Sequence, residues 1–322
     1  MGTAIDRRTL SPVLEIFRLK PEDGSQFPEY VPGQYIALRR NRCRLTRRVV
    51  GADGRERYVP DLDDSGQPKL GPVAHSYSIV SAPWETREHG CLEFYVVLER
   101  DGYGTLGRLS GSFFEMSTGD EAVQYVNRIT GNFTLDQRAR GFGSVLLVGT
   151  GTGLAPFVSM IKQLHHDARQ GRVAPVQYTL LHTNRTYEEL AYHRELLAIE
   201  GSQTFDFLYI ASVSRPAARD VEDPRLGRGR ANNLLRHMFS MPLREEDELH
   251  AARAAGEDTS RAREALARAV TPALPGHVSR NELLTRFDPS RTVVLCCGNL
   301  ASMEDIKYVA DAHHIPFEKE DW

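Results

Sequence analysis

The chain has 322 residues, enough for two domains each with its own core, and its 41% hydrophobic and 26% charged content is ordinary globular usage. Its 40 Lys plus Arg against 43 Asp plus Glu give a formal net charge of −3, so neither a nucleic acid nor a membrane surface is an expected partner. No apolar run reaches membrane-spanning length and the N-terminus lacks a basic-then-apolar pattern, so a cytoplasmic location is expected; Cys43, Cys91, Cys296 and Cys297 form no Cys-x-x-Cys pair, disulfide framework or iron–sulfur set.

Up to about residue 140 the pattern is one of short strands between turns. Residues 13–19, 34–38 and 92–98 are strand-like, and Pro32-Gly33 breaks the chain before the second of these. An antiparallel barrel is expected. Within it, residues 39–57 carry eight arginines against Asp53 and Glu56, followed by a polar Gly/Pro/Asp stretch to about residue 72. This insertion is either a solvated loop or a basic patch that steers an acidic partner. Residues 75–83 form a strand carrying His75, Tyr77 and Ser78 and ended by Pro83, and a turn rich in glycine spans 101–109.

From about residue 142 strands alternate with helices: 144–148, 178–182, 205–210 and 292–296 are the strands, which implies a parallel sheet. Gly149-Thr150-Gly151-Thr152-Gly153 separates the first of them from a helix with apolar Phe157, Met160, Ile161 and Leu164. Glycines there let the backbone turn tightly and approach a ligand, the helix start offers unpaired N–H groups, and Pro156 suits a first turn, so a pyrophosphate is the natural guest. The spacing is Gly-x-Gly-x-Gly rather than Gly-x-Gly-x-x-Gly. Arginines follow the next strands, as Asn184-Arg185, Ser214-Arg215 and Gly229-Arg230. Strand ends on this side of a parallel sheet bind nucleotides, and a guanidinium fork is the best partner for a 2′-phosphate, which favours NADP over NAD. Asp220 and Glu222, the acidic residues that would favour NAD, fall in what reads as a loop. Residues 241–270 read as one or two surface helices, and Cys297-Gly298-Asn299 ends the last strong strand. The adjacent pairs His165-His166 and His313-His314 do not converge on a metal, because neighbours on a helix point about 100° apart.

Taken in order, the segments 75–83, 149–153, 297–299 and 318–322 resemble the ferredoxin–NADP reductase family, particularly its bacterial branch, which also reduces flavodoxin. The resemblance implies an N-terminal antiparallel β-barrel FAD domain at 1–140, with the Arg-rich insertion at about 39–72. It implies a C-terminal parallel-sheet, Rossmann-like NADP domain at 141–322, with a helical insertion at about 238–282. In the family's Arg-x-Tyr-Ser motif the tyrosine lies against the flavin and the serine near its reactive nitrogen. Tyr77 and Ser78 match, whereas His75 stands where the arginine binds pyrophosphate. Gly104, Thr105, Gly107 and Arg108 resemble a second pyrophosphate-binding turn, and Pro32-Gly33-Gln34-Tyr35 a structural barrel turn. Gly149, Thr150, Gly151, Thr152, Gly153, Arg185, Ser214, Arg215, Arg230, Cys297 and Gly298 match NADP-binding positions. Cys297 would sit beside the nicotinamide, with Ser78 and Glu318 sharing the catalytic role, and Trp322 would stack on FAD, on either the isoalloxazine or the adenine. Leu300 replaces a common proline, and Met303 comes a residue later than in many members.

The implied activity is FAD-dependent electron exchange between NADP(H) and a one-electron carrier, ferredoxin or flavodoxin, with the metal centre, if any, on the acidic carrier. A flavin reductase serving an oxygenase, and a nucleotide-binding regulator without turnover, are the alternatives.

Overall fold

A computed structural model describes residues 1–51, 54–116 and 123–320. The chain divides into two compact units, residues 1–132 and 133–322.

In the first unit, β1 (Gly2–Ser11), β2 (Leu14–Pro21) and β7 (Leu92–Val97) form one antiparallel sheet. A second antiparallel sheet contains β6 (Leu70–Ser78), β3 (Tyr35–Arg44) and β8 (Gln124–Thr130). Two seams join them. Gly2 and Val123 exchange backbone hydrogen bonds of 2.9 and 2.8 Å, and Val80 N–H donates to Glu93 at 2.9 Å. The six strands thereby close into a barrel. Inward-facing Phe17, Leu19, Ile36, Leu38, Val73, Leu92, Phe94 and Val96 fill it, as strand alternation requires. The helix Arg108–Phe114 packs on the barrel through Phe113, whose ring lies 5.3 Å from Phe17 and 5.6 Å from Tyr77.

The Arg-rich insertion is strand rather than loop. β3 runs on to Arg44, and β4 (Thr46–Val50) pairs with β5 (Glu56–Pro60) as an exposed hairpin. Val49, Val50, Tyr58 and Val59, residues that favour strands, support this pairing, which the density of charge conceals.

In the second unit six parallel strands stand in the order β12 (Leu226–Arg228), β11 (Phe207–Val213), β10 (Gln177–Asn184), β9 (Ser144–Thr150), β13 (Thr292–Cys297), β14 (Phe317–Lys319). β9 starts the sheet at its centre. The chain then builds outward through β10 to β12 on one side and returns to β13 on the other, so the order reverses at the β9/β13 pair. Strands buried on both faces explain the continuous runs at 144–148 and 292–296. The helix Ala155–Arg169 buries Phe157, Met160 and Ile161. The second insertion forms two helices, Arg244–Ala254 and Ser260–Ala267. Among the described residues no helix is long and apolar enough to cross a membrane.

Candidate functional site

In a parallel sheet ligands bind at carboxyl ends of strands where the order reverses. At the β9/β13 pair the two strand ends are locked together. Gly151 adopts φ +58° in a tight 3-10 turn, Gly151–Leu154, that delivers the chain into the following helix. A Cβ on Gly153 would fall 2.3 Å from the Cys297 carbonyl oxygen and 2.5 Å from Gly298 Cα, so only glycine fits. Gly298, at φ +135°, is constrained reciprocally, its Cβ position lying 2.1 Å from Thr150 Oγ1. That hydroxyl accepts a 3.0 Å hydrogen bond from Asn299 N–H, while Asn299 Oδ1 caps the helix Leu300–Ala312 at Ser302 N–H, 3.1 Å away. The turn 149–153 and Cys297-Gly298 are therefore one structure.

Cys297 is fully enclosed. Its thiol donates to Glu320 Oε2 at 2.9 Å, and burial, reinforced by that carboxylate, pushes its pKa well above the usual thiol range. It is a neutral thiol without the activation a nucleophile needs. Glu320 was not singled out by its sequence, but the register Leu295↔Glu318, Cys296↔Lys319 brings it opposite Cys297. Glu318 instead accepts from Arg138 Nη1 at 2.8 Å. Trp322 lies outside the described residues.

The arginines at the neighbouring strand ends differ in availability. Arg185 forks onto Glu189, with Nε and Nη2 at 2.9 and 2.7 Å from its oxygens. Ser214 and Arg215 follow β11, and their backbone N–H groups donate to Asn184 and Arg185 at 2.9 and 2.8 Å; the Arg215 side chain is exposed. Arg230 immediately precedes the helix Ala231–Met238, with Nη1 3.4 Å from Glu245 Oε1. Asp220 does not lie in a loop. It is buried in the short helix Ala218–Glu222, where its carboxylate accepts from Ala217 N–H at 2.8 Å, so the acidic residue has a capping job.

Beneath these strand ends, Tyr209 hydroxyl lies 2.9 Å from His182 Nδ1 and 3.2 Å from His193 Nδ1. A phenol carries one proton, so it donates to one ring and accepts from the other. His182 is fully buried, its Nε2 has no hydrogen-bond partner among the described residues, and burial holds its pKa down to about 3. The paired histidines are dispersed: His165 Nδ1 meets Thr204, His166 meets Gln170, and His313 stacks on Phe239.

In the first unit His75 and Tyr77 lie two apart on β6, His75 exposed and Tyr77 partly covered, and Ser78 is buried. Burial, with Glu99 nearby, keeps the Tyr77 phenol protonated. The turn 101–107 is organised by Asp101, whose Oδ1 accepts from Tyr103 and Thr105 N–H at 2.9 and 2.8 Å; its Oδ2 is buried without a partner among the described residues. Gly104 has φ +87° with open space around its Cβ position. Gly107 serves packing, since a Cβ there would meet Ser110 Oγ at 2.5 Å and Glu99 at 2.9 Å. Arg108 is exposed. The hairpin β4–β5 touches this turn: Thr105 Oγ1 donates to the Tyr58 carbonyl at 2.9 Å, and the Arg57 guanidinium lies 5.9 Å from the Tyr103 ring centre.

Residues 147–255 match the family model for the oxidoreductase NAD-binding domain. A flavohemoprotein of Bordetella pertussis is 31% identical over 159 residues, 48% of this chain and 31% of that protein. A flavodoxin/ferredoxin–NADP reductase of Rhodobacter capsulatus is 28% identical over 136 residues, 42% of this chain and 43% of the relative. The chain thus spans less than half the length of these curated relatives. Among solved structures, a ferredoxin NADP+ reductase from Neisseria gonorrhoeae, determined with bound FAD and NADP, superposes with a TM-score of 0.56 at 17% identity, covering 99% of this chain and 97% of that one. That likeness is one of fold.

Proposed function

We propose that this chain, a member of the ferredoxin–NADP reductase family, holds FAD in its first unit and NADP(H) in its second, and exchanges electrons between NADP(H) and a one-electron carrier, ferredoxin or flavodoxin. The observation that carries this reading is the pair of glycine-dependent turns interlocked where the strand order reverses. There Gly149 to Gly153 bring backbone N–H groups close to a pyrophosphate, and Gly298 leaves the adjoining strand end free of any side chain. Ser214, Arg215 and Arg230 would bind the 2′-phosphate; Arg185 would join them only by leaving Glu189. Cys297, neutral, fully enclosed and tied to Glu320, would support the strand end beside the nicotinamide from within the fold. In the first unit Ser78 would supply a hydroxyl to the flavin; in the second Glu318 would supply a carboxylate whose direction Arg138 sets.

The residues of the first unit fit a flavin nucleotide. Tyr77 supplies an aromatic surface backed by Phe113, and the Gly104 turn, held by Asp101 through Tyr103 and Thr105 N–H, has room for a ligand. His75, Tyr77, Ser78, Gly104, Thr105, Gly107 and Arg108 would hold it, with Arg108 supplying the guanidinium that is missing at position 75. When bound, FAD takes two electrons from NADPH and releases them singly. The hairpin, with Arg47 and its neighbours exposed, would steer an acidic carrier. The flavohemoprotein match favours a second reading, in which the recipient is a haem domain or an oxygenase.

Coenzyme preference tests the nucleotide half of this account. Arg215→Ala and Arg230→Ala should each raise KM for NADPH far more than for NADH, because a charged phosphate contact contributes about 1.5–3 kcal/mol. Equal losses for both coenzymes would contradict it.

A further inference from the structure

The helical insertion begins against Arg230 and returns against its neighbours Arg228 and Gly229. Its returning segment pairs Ala273 with Arg228 through backbone bonds of 2.8 and 3.0 Å, and Pro272 Cα lies 3.3 Å from the Cβ position of Gly229. Its first helix, Arg244–Ala254, directs Glu245 back to the same place: Oε1 lies 3.4 Å from Arg230 Nη1, and Oε2 accepts from Asn233 Nδ2 at 2.7 Å. The two partners are unequal. The Glu245 side chain is 6% exposed, whereas that of Arg230 is 67% exposed. The carboxylate is fixed in the protein, held by Asn233 and by its place in the first turn of a helix, where negative charge is favoured; the guanidinium is free to swing.

We infer that the insertion sets the affinity for 2′-phosphorylated nucleotides through Glu245, an internal carboxylate that competes with the coenzyme's 2′-phosphate for Arg230. The inference rests on the reading of Arg230 as a phosphate donor. An arriving 2′-phosphate must draw Arg230 from Glu245 and then sit near a buried negative charge that remains behind. NADP is consequently held less tightly than Arg215 and Arg230 alone would hold it, and a nucleotide lacking the 2′-phosphate is indifferent to Glu245. Removing that charge raises phosphate affinity without adding a contact.

Calorimetric titration with NADP+, 2′,5′-ADP and NAD+ tests this on the full chain, independently of turnover. Glu245→Gln keeps the shape and an acceptor for Asn233, and should bind NADP+ and 2′,5′-ADP roughly three- to tenfold more tightly while leaving NAD+ unchanged. Glu245→Asp, which keeps the charge but draws it back, should give a smaller gain of the same sign and serves if the Gln variant does not fold. In an Arg230→Ala background the gain should vanish, since the two effects act through one pair. If Arg230→Ala weakens NADP+ selectively while neither Glu245 variant changes it, the inference is overturned and the reading of Arg230 stands. If Arg230→Ala weakens NADP+ and NAD+ alike, that reading falls and takes the inference with it.

Discussion

Gly153→Ala isolates the contact on which the nucleotide site depends. The added methyl would lie 2.3 Å from the Cys297 carbonyl oxygen and 2.4 Å from its carbon, both backbone atoms that cannot rotate away. Ordinary contact needs about 3.5 Å, so one strand end must retreat by about 1 Å. β9 and β13 are neighbours in the ladder, and displacement of such a packed pair costs about 1–3 kcal/mol. For a unit of this size that is a fall in Tm of about 2–12 °C, with a loss in NADP+ affinity on the order of tenfold. Gly151→Ala is the control. Its φ of +58° strains a side chain by about 1–2 kcal/mol, yet its Cβ position is open, so the turn should keep its place and its coenzyme. Differential scanning calorimetry and coenzyme titration on both variants decide the matter. Should Gly153→Ala bind NADP+ as tightly as Gly151→Ala, the interlocked turns are not what builds the site.

His182 makes acid sensitivity predictable. Its pKa is held down to about 3 when folded against the ordinary value near 6.5, so its contribution is complete above pH 6.5 and lost as pH falls toward 3. Between pH 6.5 and 5 it should account for about 2 kcal/mol of lost stability in denaturant titrations, and His182→Asn should show a smaller loss; equal losses would mean that another group governs the acid limb. Exchanging Arg42, Arg44, Arg47 and Arg48 for Gln should slow carrier reduction and flatten its salt dependence while leaving reduction by NADPH untouched in stopped flow. An unchanged salt slope would move carrier docking off the hairpin. Arg44 and Arg48 are paired with Glu115 and Glu56 at 3.2 and 3.0 Å, so each contributes less to steering than an unneutralised charge would.

The glycine turn and the strands around it were legible because their chemistry is local: apolar runs, a turn residue at each bend, a proline in the first helical turn. β1 was not, since Asp6 at φ +49° and two register shifts break its alternation. The hairpin was hidden by its arginines, whose charge masks a strand pattern. Of the candidate site, the glycine spacing was visible, but partners set by register or by distant elements were not. Which of Glu318 and Glu320 meets Cys297 depends on how β14 aligns with β13. Arg185 and Arg230 look alike in sequence, yet one is forked by Glu189 four residues on and the other faces a helix from the insertion. Asp220 read as a loop residue because its short helix carries no periodic apolar face.

The most direct test of the central claim is an anaerobic spectral titration of the purified, FAD-reconstituted protein. The account predicts a bound flavin band that NADPH bleaches at stoichiometric amounts, NADH only at much higher concentration, and that returns as oxidised ferredoxin or flavodoxin is added. A folded protein that retains no FAD, or whose bound flavin NADPH does not reduce, would contradict it.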